Sequence, residues 1–148
     1  MLKYLAENRK SRFEYDILEK YEAGIILTGQ EVKSVKLGRA NISSSFVLIK
    51  PKGAFLLNTD IPPYQAKNSP TDYNPSRTRK LLLNNDEIKY LRGKTKEGNL
   101  TIMPLTMYNK GRRIKMELGL GRHKKKYDKR EAIKKRETSR TIRRTLKS

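Results

Sequence analysis

The sequence predicts a mainly β fold: a small closed or partly closed antiparallel barrel of about six short strands, with two short helices and a basic carboxyl-terminal tail. Three observations support this prediction. Short runs of alternating apolar and polar residues recur along the first 120 residues, and turn signals containing Pro or Gly separate them. The last thirty residues, in contrast, hold thirteen Lys or Arg and few large aliphatic side chains.

Six runs have the composition of strands. They span residues 13–18, 25–27, 45–49, 54–57, 100–108 and 114–120. Three turn signals connect them in pairs: YEAG at 21–24, PKG at 51–53 and NKG at 109–111. In the last run every second residue is apolar, which indicates a strand with one buried face and one solvated face.

Two capping boxes predict the two short helices, since their first and fourth residues can satisfy each other's backbone groups. The boxes are TGQE at 28–31, with Gly38 ending the helix, and NNDE at 84–87, with Gly93 ending it. A third sequence of this form, DKRE at 128–131, predicts a helix start within the tail.

The chain divides into a barrel, residues 1–118, and a basic tail, residues 119–148. Within the barrel, the proline-rich segment 61–76 predicts an ordered but irregular loop across one end. The tail carries a balance of 13 − 3 = +10 of the chain's +20. Its apolar side chains are too few to offset the entropy of ordering it, yet Lys, Arg, Glu and Ala favour helix. We therefore expect the tail to be disordered when free and helical against a polyanion.

A net charge of +20 and a pI near 10.3 are typical of proteins that bind a phosphate backbone. A basic protein held to an acidic protein or a membrane surface is the alternative. No apolar stretch reaches the about 18 residues of a membrane span, and the first fifteen residues lack the apolar core of a signal peptide. The absence of cysteine fits the cytoplasm.

The sequence shows no constellation of catalytic residues. The single histidine, His123, lies between Arg122 and Lys124, and we expect it to be a solvated tail residue rather than a catalytic base or a metal ligand. With one His and no Cys, a zinc site would need carboxylates alone, and neither a phosphate-binding loop nor a dinucleotide fingerprint occurs. We therefore expect no catalysis, no metal and no cofactor.

Three patches are candidate RNA contacts. The first joins the break at 21–24 to the helix face 31–34 and includes Glu22, Gly24 and Lys33. A carboxylate among basic side chains can accept hydrogen bonds from the amino groups of nucleobases or from 2′-hydroxyls. A site that binds only phosphates does not need such an acceptor. An ordinary turn residue is an equally good interpretation of Glu22.

The second patch begins at Arg77 and runs into three leucines. Its cations, Arg77, Arg79 and Lys80, suit phosphates, and an exposed leucine could pack on a splayed base. Leu81 and Leu83 also fit the core and the staple of the following helix. The third patch is the tail, where Tyr127 is a candidate stacking ring. Its candidate phosphate contacts are Lys124, Lys125, Lys129 and Arg130.

Five runs of the sequence resemble the small protein B (SmpB) family, which binds transfer-messenger RNA in bacterial trans-translation. These runs are NRKSRFEY, EAGIILTGQEVKSV, GRANISSSFV, PSRTRKLLLNNDEI and KKKYDKREAIKKR. The resemblance implies an OB-like barrel of six antiparallel strands and a monomer that binds the tRNA-like half of transfer-messenger RNA. It also implies a second partner, the stalled ribosome, where the tail would lie against ribosomal RNA in the empty decoding site and message channel.

The resemblance also assigns roles to residues. On the barrel, it implies that RNA is bound by Glu22, Leu82, Asn84 and Lys115. In the tail, it implies that the residues acting on the ribosome are Lys124, Lys125, Tyr127, Asp128, Lys129 and Arg130. The chain departs from the family's pattern at His123, where a Gly is usual, and this should stiffen any hinge unless Gly119 or Gly121 replaces it.

Two alternatives remain open at this stage. A structural ribosomal protein would also pair a small barrel with a basic tail, although it would not need DKRE beside the EAG and RKLLLN runs. An RNA-processing enzyme is the other alternative, and a cleavage assay with labelled RNA would test it.

Overall fold

The computed structural model describes residues 3–65 and 72–124. Its strands are β1 (Lys3–Glu7), β2 (Tyr15–Ile25), β3 (Phe46–Lys50), β4 (Gly53–Leu57), β5 (Arg79–Leu82), β6 (Thr101–Lys110) and β7 (Arg113–His123). Its helices are α1 (Arg9–Glu14), α2 (Gly29–Lys36) and α3 (Asn85–Lys96). The fold is mainly β, as predicted, with seven strands in place of about six.

All strand pairs are antiparallel and belong to one sheet. The order is β1-β6-β3-β4-β5-β2-β7, and β6 also pairs with β7. The pairings therefore run in a ring from β6 through β3, β4, β5, β2 and β7 back to β6. Strand β1 shares one edge of β6 with β3, since β3 pairs at Ile102 and β1 pairs from Thr106 to Asn109.

The predicted hairpin break at 21–24 is wrong. Residues Tyr15–Ile25 form one continuous strand, which pairs with β7 from Tyr15 opposite His123 to Gly24 opposite Lys115. Side chains along β2 alternate in burial as far as Glu22, as expected for a strand with one buried face. Gly24, which suggested a turn, instead leaves room for the Leu82 side chain on β5.

Both predicted capping boxes are confirmed. In α2, Thr28 Oγ1 accepts from the Glu31 N–H at 3.2 Å, and Glu31 Oε1 accepts from the Thr28 N–H at 2.9 Å. Asn84 and Glu87 make the same reciprocal pair in α3, at 2.8 and 3.3 Å. Two such bonds satisfy helix-end donors that would otherwise have no partner.

The helix ends match the prediction in one case only. Gly38, with φ of 77°, follows α2 as predicted. Helix α3 continues through Gly93 to Lys96, so Gly93 as its end is wrong, and Gly98, with φ of 89°, makes the turn.

Helix α1 was not predicted, and Asn8 explains its position. The Asn8 side chain accepts a hydrogen bond from the Ser11 N–H at 3.0 Å and donates to the backbone carbonyls of Ile42 and Pro104 at 3.1 and 2.8 Å. Asn8 is fully buried, so these bonds tie the start of α1 to β6 and to the segment before β3.

The apolar core lies inside the ring of strands and under the helices. Its fully buried members include Val35, Leu56, Leu91, Met107 and Leu118. Strand β7 continues through His123, past the predicted barrel boundary at residue 118, because the pairing with β2 persists to Tyr15. Beyond it, the Lys124 N–H donates to the Glu14 carbonyl at 2.8 Å.

The start of the predicted tail therefore belongs to the sheet. His123, expected as a solvated tail residue, is exposed, and its ring meets Tyr15 edge-on with centroids 5.0 Å apart. The helix start predicted at 128–131 and most of the tail lie outside the described residues, as does part of the loop at 61–76. Among the helices of the described ranges, none is long and apolar enough to cross a membrane.

Candidate nucleic-acid interface

A cleft of about 230 Å³ opens where β2 and β5 meet the turn between β6 and β7. Its apolar residues are Ile25, Leu27, Val32, Leu82 and Ile114, and its basic residues are Arg112, Arg113 and Lys115. Gly24 completes the lining. An apolar surface beside several cations suits a nucleic acid, since bases can pack on the first while phosphates approach the second.

Gly24 and Leu82 lie opposite each other in the pairing of β2 with β5. A Cβ on Gly24 would be 3.2 Å from the Leu82 Cβ and 3.3 Å from its Cδ1, so the glycine lets the leucine lie close over β2. The Leu82 side chain nevertheless remains about half exposed, whereas its neighbour Leu81 is buried in the core. Leu82 is thus an exposed leucine of the kind that a splayed base could cover.

The cations of the cleft come from adjacent positions around the β6–β7 turn. Lys115, implied by the family resemblance, lies on β7 and pairs with both Gly24 and Tyr108. Arg112 and Arg113 were missed by the sequence analysis. The signal that could have found them is the Arg pair directly after the NKG turn, because a turn projects its side chains into solvent.

Glu22 is not a turn residue but a member of a polar cluster between β2 and β6. Its Oε2 accepts from the Tyr108 hydroxyl at 2.5 Å, and both oxygens accept from Lys110 Nζ, at 3.0 and 3.2 Å. The hydrogen bond from Tyr108, followed by that from Lys110, holds the pKa of Glu22 below its usual value. The carboxylate is therefore ionised beside the basic cleft, whose Lys115 adds to the same effect.

Arg79 was predicted to contact phosphate, and the structure contradicts this. Its guanidinium is completely buried, with Nε 2.7 Å from Glu31 Oε2 and with further bonds to the carbonyls of Thr59 and Pro75, both at 2.9 Å. A buried charge needs such partners. Arg79 thus ties β5 to α2 and to the segment between β4 and β5, and RNA has no access to it.

Arg77 also binds Glu31, donating from Nε at 3.1 Å and from Nη2 to the other carboxylate oxygen. About a third of its side chain is exposed, so a contact with RNA remains a prediction for this residue. Burial alone would raise the pKa of Glu31, but the hydrogen bonds from Arg77, Thr28 and Arg79 outweigh it, and the pKa lies below its usual value.

The other predicted barrel residues do not line the cleft. Lys80 is exposed on β5, and Lys33 is exposed on α2 with its ammonium 5.4 Å from the centroid of the Tyr64 ring. Asn84 is exposed, and its side-chain oxygen Oδ1 caps α3 by accepting from the Glu87 N–H. Lys124 is the one tail candidate within the described residues, while Lys125, Tyr127, Asp128, Lys129 and Arg130 lie outside them.

Within residues 3–65 and 72–124, no group of three or more Asp, Glu or His side chains is arranged to hold a metal ion. Two carboxylates near the cleft have cationic or hydroxyl partners: Glu22 binds Tyr108 and Lys110, and Glu31 binds Arg77 and Arg79.

Comparison with known proteins gives a consistent result. The family model described as "SmpB protein" matches residues 5–148. The chain is 49% identical over 148 residues to an SsrA-binding protein of Carboxydothermus hydrogenoformans, covering 100% of this chain and 99% of the relative. It is 49% identical over 145 residues to the SsrA-binding protein of Gloeobacter violaceus, covering 98% and 95%.

One solved structure is similar over most of the fold. It comes from work described as "tmRNA-SmpB: a journey to the center of the bacterial ribosome". The two chains share 42% sequence identity with a TM-score of 0.68, and the similarity covers 86% of this chain and 92% of the other.

Proposed function

The chain belongs to the SmpB protein family, and on that premise we propose that it is an RNA-binding adaptor of trans-translation. In this role it binds the tRNA-like domain of transfer-messenger RNA and delivers that RNA to stalled ribosomes. The observation that carries the proposal is the cleft, which combines an exposed leucine, three cations and a neighbouring ionised carboxylate. The leucine suits a base, the cations suit phosphates, and the carboxylate suits a 2′-hydroxyl or a base amino group.

Leu82 is the apolar contact for an unstacked base. Packing of a base on a protein side chain is worth about 1–3 kcal/mol where the side chain is aromatic, and a leucine offers a smaller version of the same contact. Because Gly24 has no side chain, Leu82 can lie close to β2 at this position. A double-helical RNA hides its bases, so this contact suits a loop such as those of a tRNA-like fold.

The cations bind phosphates and fix the orientation of the RNA. Arg112, Arg113 and Lys115 lie at the cleft itself, and exposed Lys80, Lys33 and the partly exposed Arg77 extend the basic surface. Asn84, whose carbonyl oxygen caps α3, retains an amide NH₂ group that can donate to RNA. Glu22 supplies a function that cations cannot, because it accepts hydrogen bonds from RNA donors.

The tail acts on the ribosome rather than in RNA capture. In this proposal it is disordered when free and becomes helical in the empty decoding site and message channel, because ribosomal RNA phosphates neutralise its cations. Its acting residues are Lys124, Lys125, Tyr127, Asp128, Lys129 and Arg130. The division into a barrel, residues 1–118, and a basic tail, residues 119–148, also belongs to this proposal.

The proposal also covers the form of the sheet, the oligomeric state and the cellular location of the protein. The ring of strand pairings supports an OB-like closed barrel as the form that presents the cleft. The protein works as a monomer in the cytoplasm without a cofactor, and the bond-making chemistry of tagging belongs to the ribosome. No residue of the cleft needs to transfer a group or a proton for this role.

Sequencing the RNA that co-purifies with the full-length chain tests the proposal. The chain is expressed with an affinity tag in a bacterium, captured, and stripped of its RNA. One abundant RNA with a tRNA-like end is the expected result. Equal recovery of the whole set of ribosomal RNAs in all growth conditions would favour a structural ribosomal protein instead.

A further inference from the structure

Tyr108 lies at the centre of the polar cluster that contains Glu22. The two residues are 86 positions apart in sequence, on β6 and β2, and β7 runs between these strands. Only 5% of Tyr108 is exposed, and its ring meets Tyr4 edge-on with centroids 6.3 Å apart at 87°. A buried, packed ring holds its hydroxyl at a fixed point. The tyrosine therefore presents a rigid donor to a carboxylate that is otherwise partly exposed.

The contacts of Glu22 are unequal between its two oxygens. Oε2 accepts from both Tyr108 and Lys110, whereas Oε1 accepts from Lys110 alone among the described residues. An ionised carboxylate offers about four acceptor sites. Oε1 therefore keeps a free acceptor site, on a side chain that is 39% exposed.

Phosphate binding alone gives no reason to keep an ionised carboxylate here. A carboxylate repels phosphate, and it also neutralises part of the positive charge that a purely electrostatic site would use. Lys110 and Lys115 both act on Glu22, so the molecule places an acceptor within its basic surface. Such an acceptor is useful for a ligand that carries hydrogen-bond donors, and RNA offers two kinds: the 2′-hydroxyl and the base amino group.

Building on the proposed RNA-binding function, we propose that Tyr108 is a positioning residue for recognition of RNA. Together with Lys110 it fixes the Glu22 carboxylate so that Oε1 accepts one hydrogen bond from an RNA donor, either a 2′-hydroxyl or a base amino group. Tyr108 thereby sets how strongly the site prefers an RNA that carries this donor over one that lacks it. It contributes this preference without touching the RNA.

The test uses the full-length chain and Tyr108→Phe, which removes the hydroxyl and keeps the packed ring. Binding is measured for the tRNA-like RNA, for versions with 2′-deoxy substitutions, and for versions in which the amino group of each kind of base is removed in turn, for example by inosine in place of guanosine. The wild-type chain should bind at least one modified RNA about tenfold more weakly than the native RNA, as expected for a hydrogen bond to a charged acceptor. The kind of modification that weakens binding identifies the donor.

In the Tyr108→Phe variant this preference should fall several-fold, while the dependence of affinity on salt stays the same, because no cation is removed. Tyr90→Phe is the matched control: the Tyr90 hydroxyl donates to Glu19 Oε1 at 2.7 Å, outside the cleft, and its loss should leave the preference intact. If Tyr108→Phe does not fold, Lys110→Met, at an exposed position, should reproduce the loss of preference.

The outcomes separate this inference from the proposed function. If the wild-type chain does not bind the tRNA-like RNA, the proposed function is wrong. If it binds, and Tyr108→Phe discriminates between native and modified RNA as well as the wild-type chain does, Tyr108 is a structural residue only. A wild-type chain that binds all the modified RNAs as tightly as the native one also overturns the inference.

Discussion

The guanidinium of Arg79 lies fully buried against the carboxylate of Glu31, with Nη2 2.6 Å from Oε2. The two residues are 48 positions apart in sequence, and the contact fastens β5 to the first turn of α2. Along the same strand, Lys80 and Leu82 are exposed and Leu81 is buried. Strand β5 therefore faces the core with one set of side chains and presents the other to the candidate RNA surface.

Arg79→Met should destabilise the fold and affect RNA binding only through that loss. The substitution leaves Glu31 with fewer donors inside the protein, and removing one partner of a buried ion pair costs about 3–5 kcal/mol. Because Arg77 still binds Glu31, we expect the lower end of this range in urea unfolding. Lys80→Met is the matched control on the exposed face, with a stability change within about 0.5 kcal/mol and weaker RNA binding. A fully stable Arg79→Met variant would contradict the structural role.

Stability should fall in acid partly through Glu31. Its pKa is lowered in the folded state, so the folded protein binds a proton less readily than the unfolded chain, where the value is about 4.3. The contribution of Glu31 is therefore complete above that pH and is lost as the pH falls below it. Glu31→Gln should be less stable at pH 7, yet its free energy of unfolding should change less between pH 6 and pH 3. Denaturant titrations across this range measure both effects, and an unchanged slope would contradict the assignment.

Local signals in the sequence predicted the starts of α2 and α3 correctly, and long-range contacts account for the main errors. A capping box needs only residues within one turn, so Thr28 with Glu31 and Asn84 with Glu87 could be found by spacing. The role of Arg79 could not be found by spacing, because its partner Glu31 is 48 positions away in the sequence, on α2. From spacing alone, an Arg in a basic run looks like a phosphate contact, and only the packing of β5 against α2 shows that it is buried.

The glycines illustrate the same limit. Glycine is common in turns, so the sequence predicts a turn at Gly24, but Gly24 lies within β2 and accommodates Leu82. Glu22, two residues earlier, stands out in the sequence as an acidic residue among basic ones, but its partners Tyr108 and Lys110 are 86 and 88 positions away. The sequence thus indicated Glu22 and Leu82 as candidates but not the cleft that Arg112 and Arg113 complete.

Gly24→Ala should weaken RNA binding with little loss of stability. Its Cβ would lie 3.2 Å from the Leu82 Cβ and 3.3 Å from the Leu82 Cδ1, so Leu82 must shift by a few tenths of an ångström. Leu82 is half exposed, so the cleft should change more than the core does. Fluorescence binding assays and urea unfolding measure the two effects separately. Gly121→Ala is the contrast: its Cβ would lie 2.8 Å from the Asp16 carbonyl oxygen, a backbone atom, so a loss of about 1–3 kcal/mol is expected.

A double-mutant cycle tests whether Gly24 acts through Leu82. Leu82→Ala removes the Cγ and Cδ1 atoms that the new methyl group would press on and keeps only the Cβ contact, and it should weaken RNA binding by itself. Adding Gly24→Ala to that variant should then have a smaller effect on affinity than it has in the wild-type chain. Equal effects of Gly24→Ala with and without Leu82 would show that the glycine influences RNA by another route.

RNA affinity should fall steeply with salt, and the two arginines of the cleft should carry part of this dependence. Each neutralised phosphate releases counterions, so replacing Arg112 and Arg113 by Ala should reduce the magnitude of the slope of log affinity against log salt by about 1–2. Arg9→Ala with Arg12→Ala removes the same charge from α1, away from the cleft, and should change the slope less. Equal changes in both double variants would mean that overall charge, rather than the cleft, binds the RNA.

A chain ending at Lys124 should separate RNA capture from work on the ribosome. It retains all of β7 and the bond from the Lys124 N–H to the Glu14 carbonyl, so the sheet and the cleft keep their contacts. It lacks the helix start at 128–131 and most of the tail cations, so by the proposed mechanism nothing can occupy the message channel. Affinity for the tRNA-like RNA should stay close to that of the full chain, while peptide tagging on stalled ribosomes is lost in a reconstituted translation assay.

Asp128→Ala in the full chain should give a milder form of the same defect, because loss of a helix cap costs about 0.5–2 kcal/mol. Tagging should be reduced and RNA capture unchanged. Full tagging by the chain that ends at Lys124 would show that the tail is not required on the ribosome. Loss of RNA binding by that chain, with its fold intact by circular dichroism, would instead place the tail in the capture site.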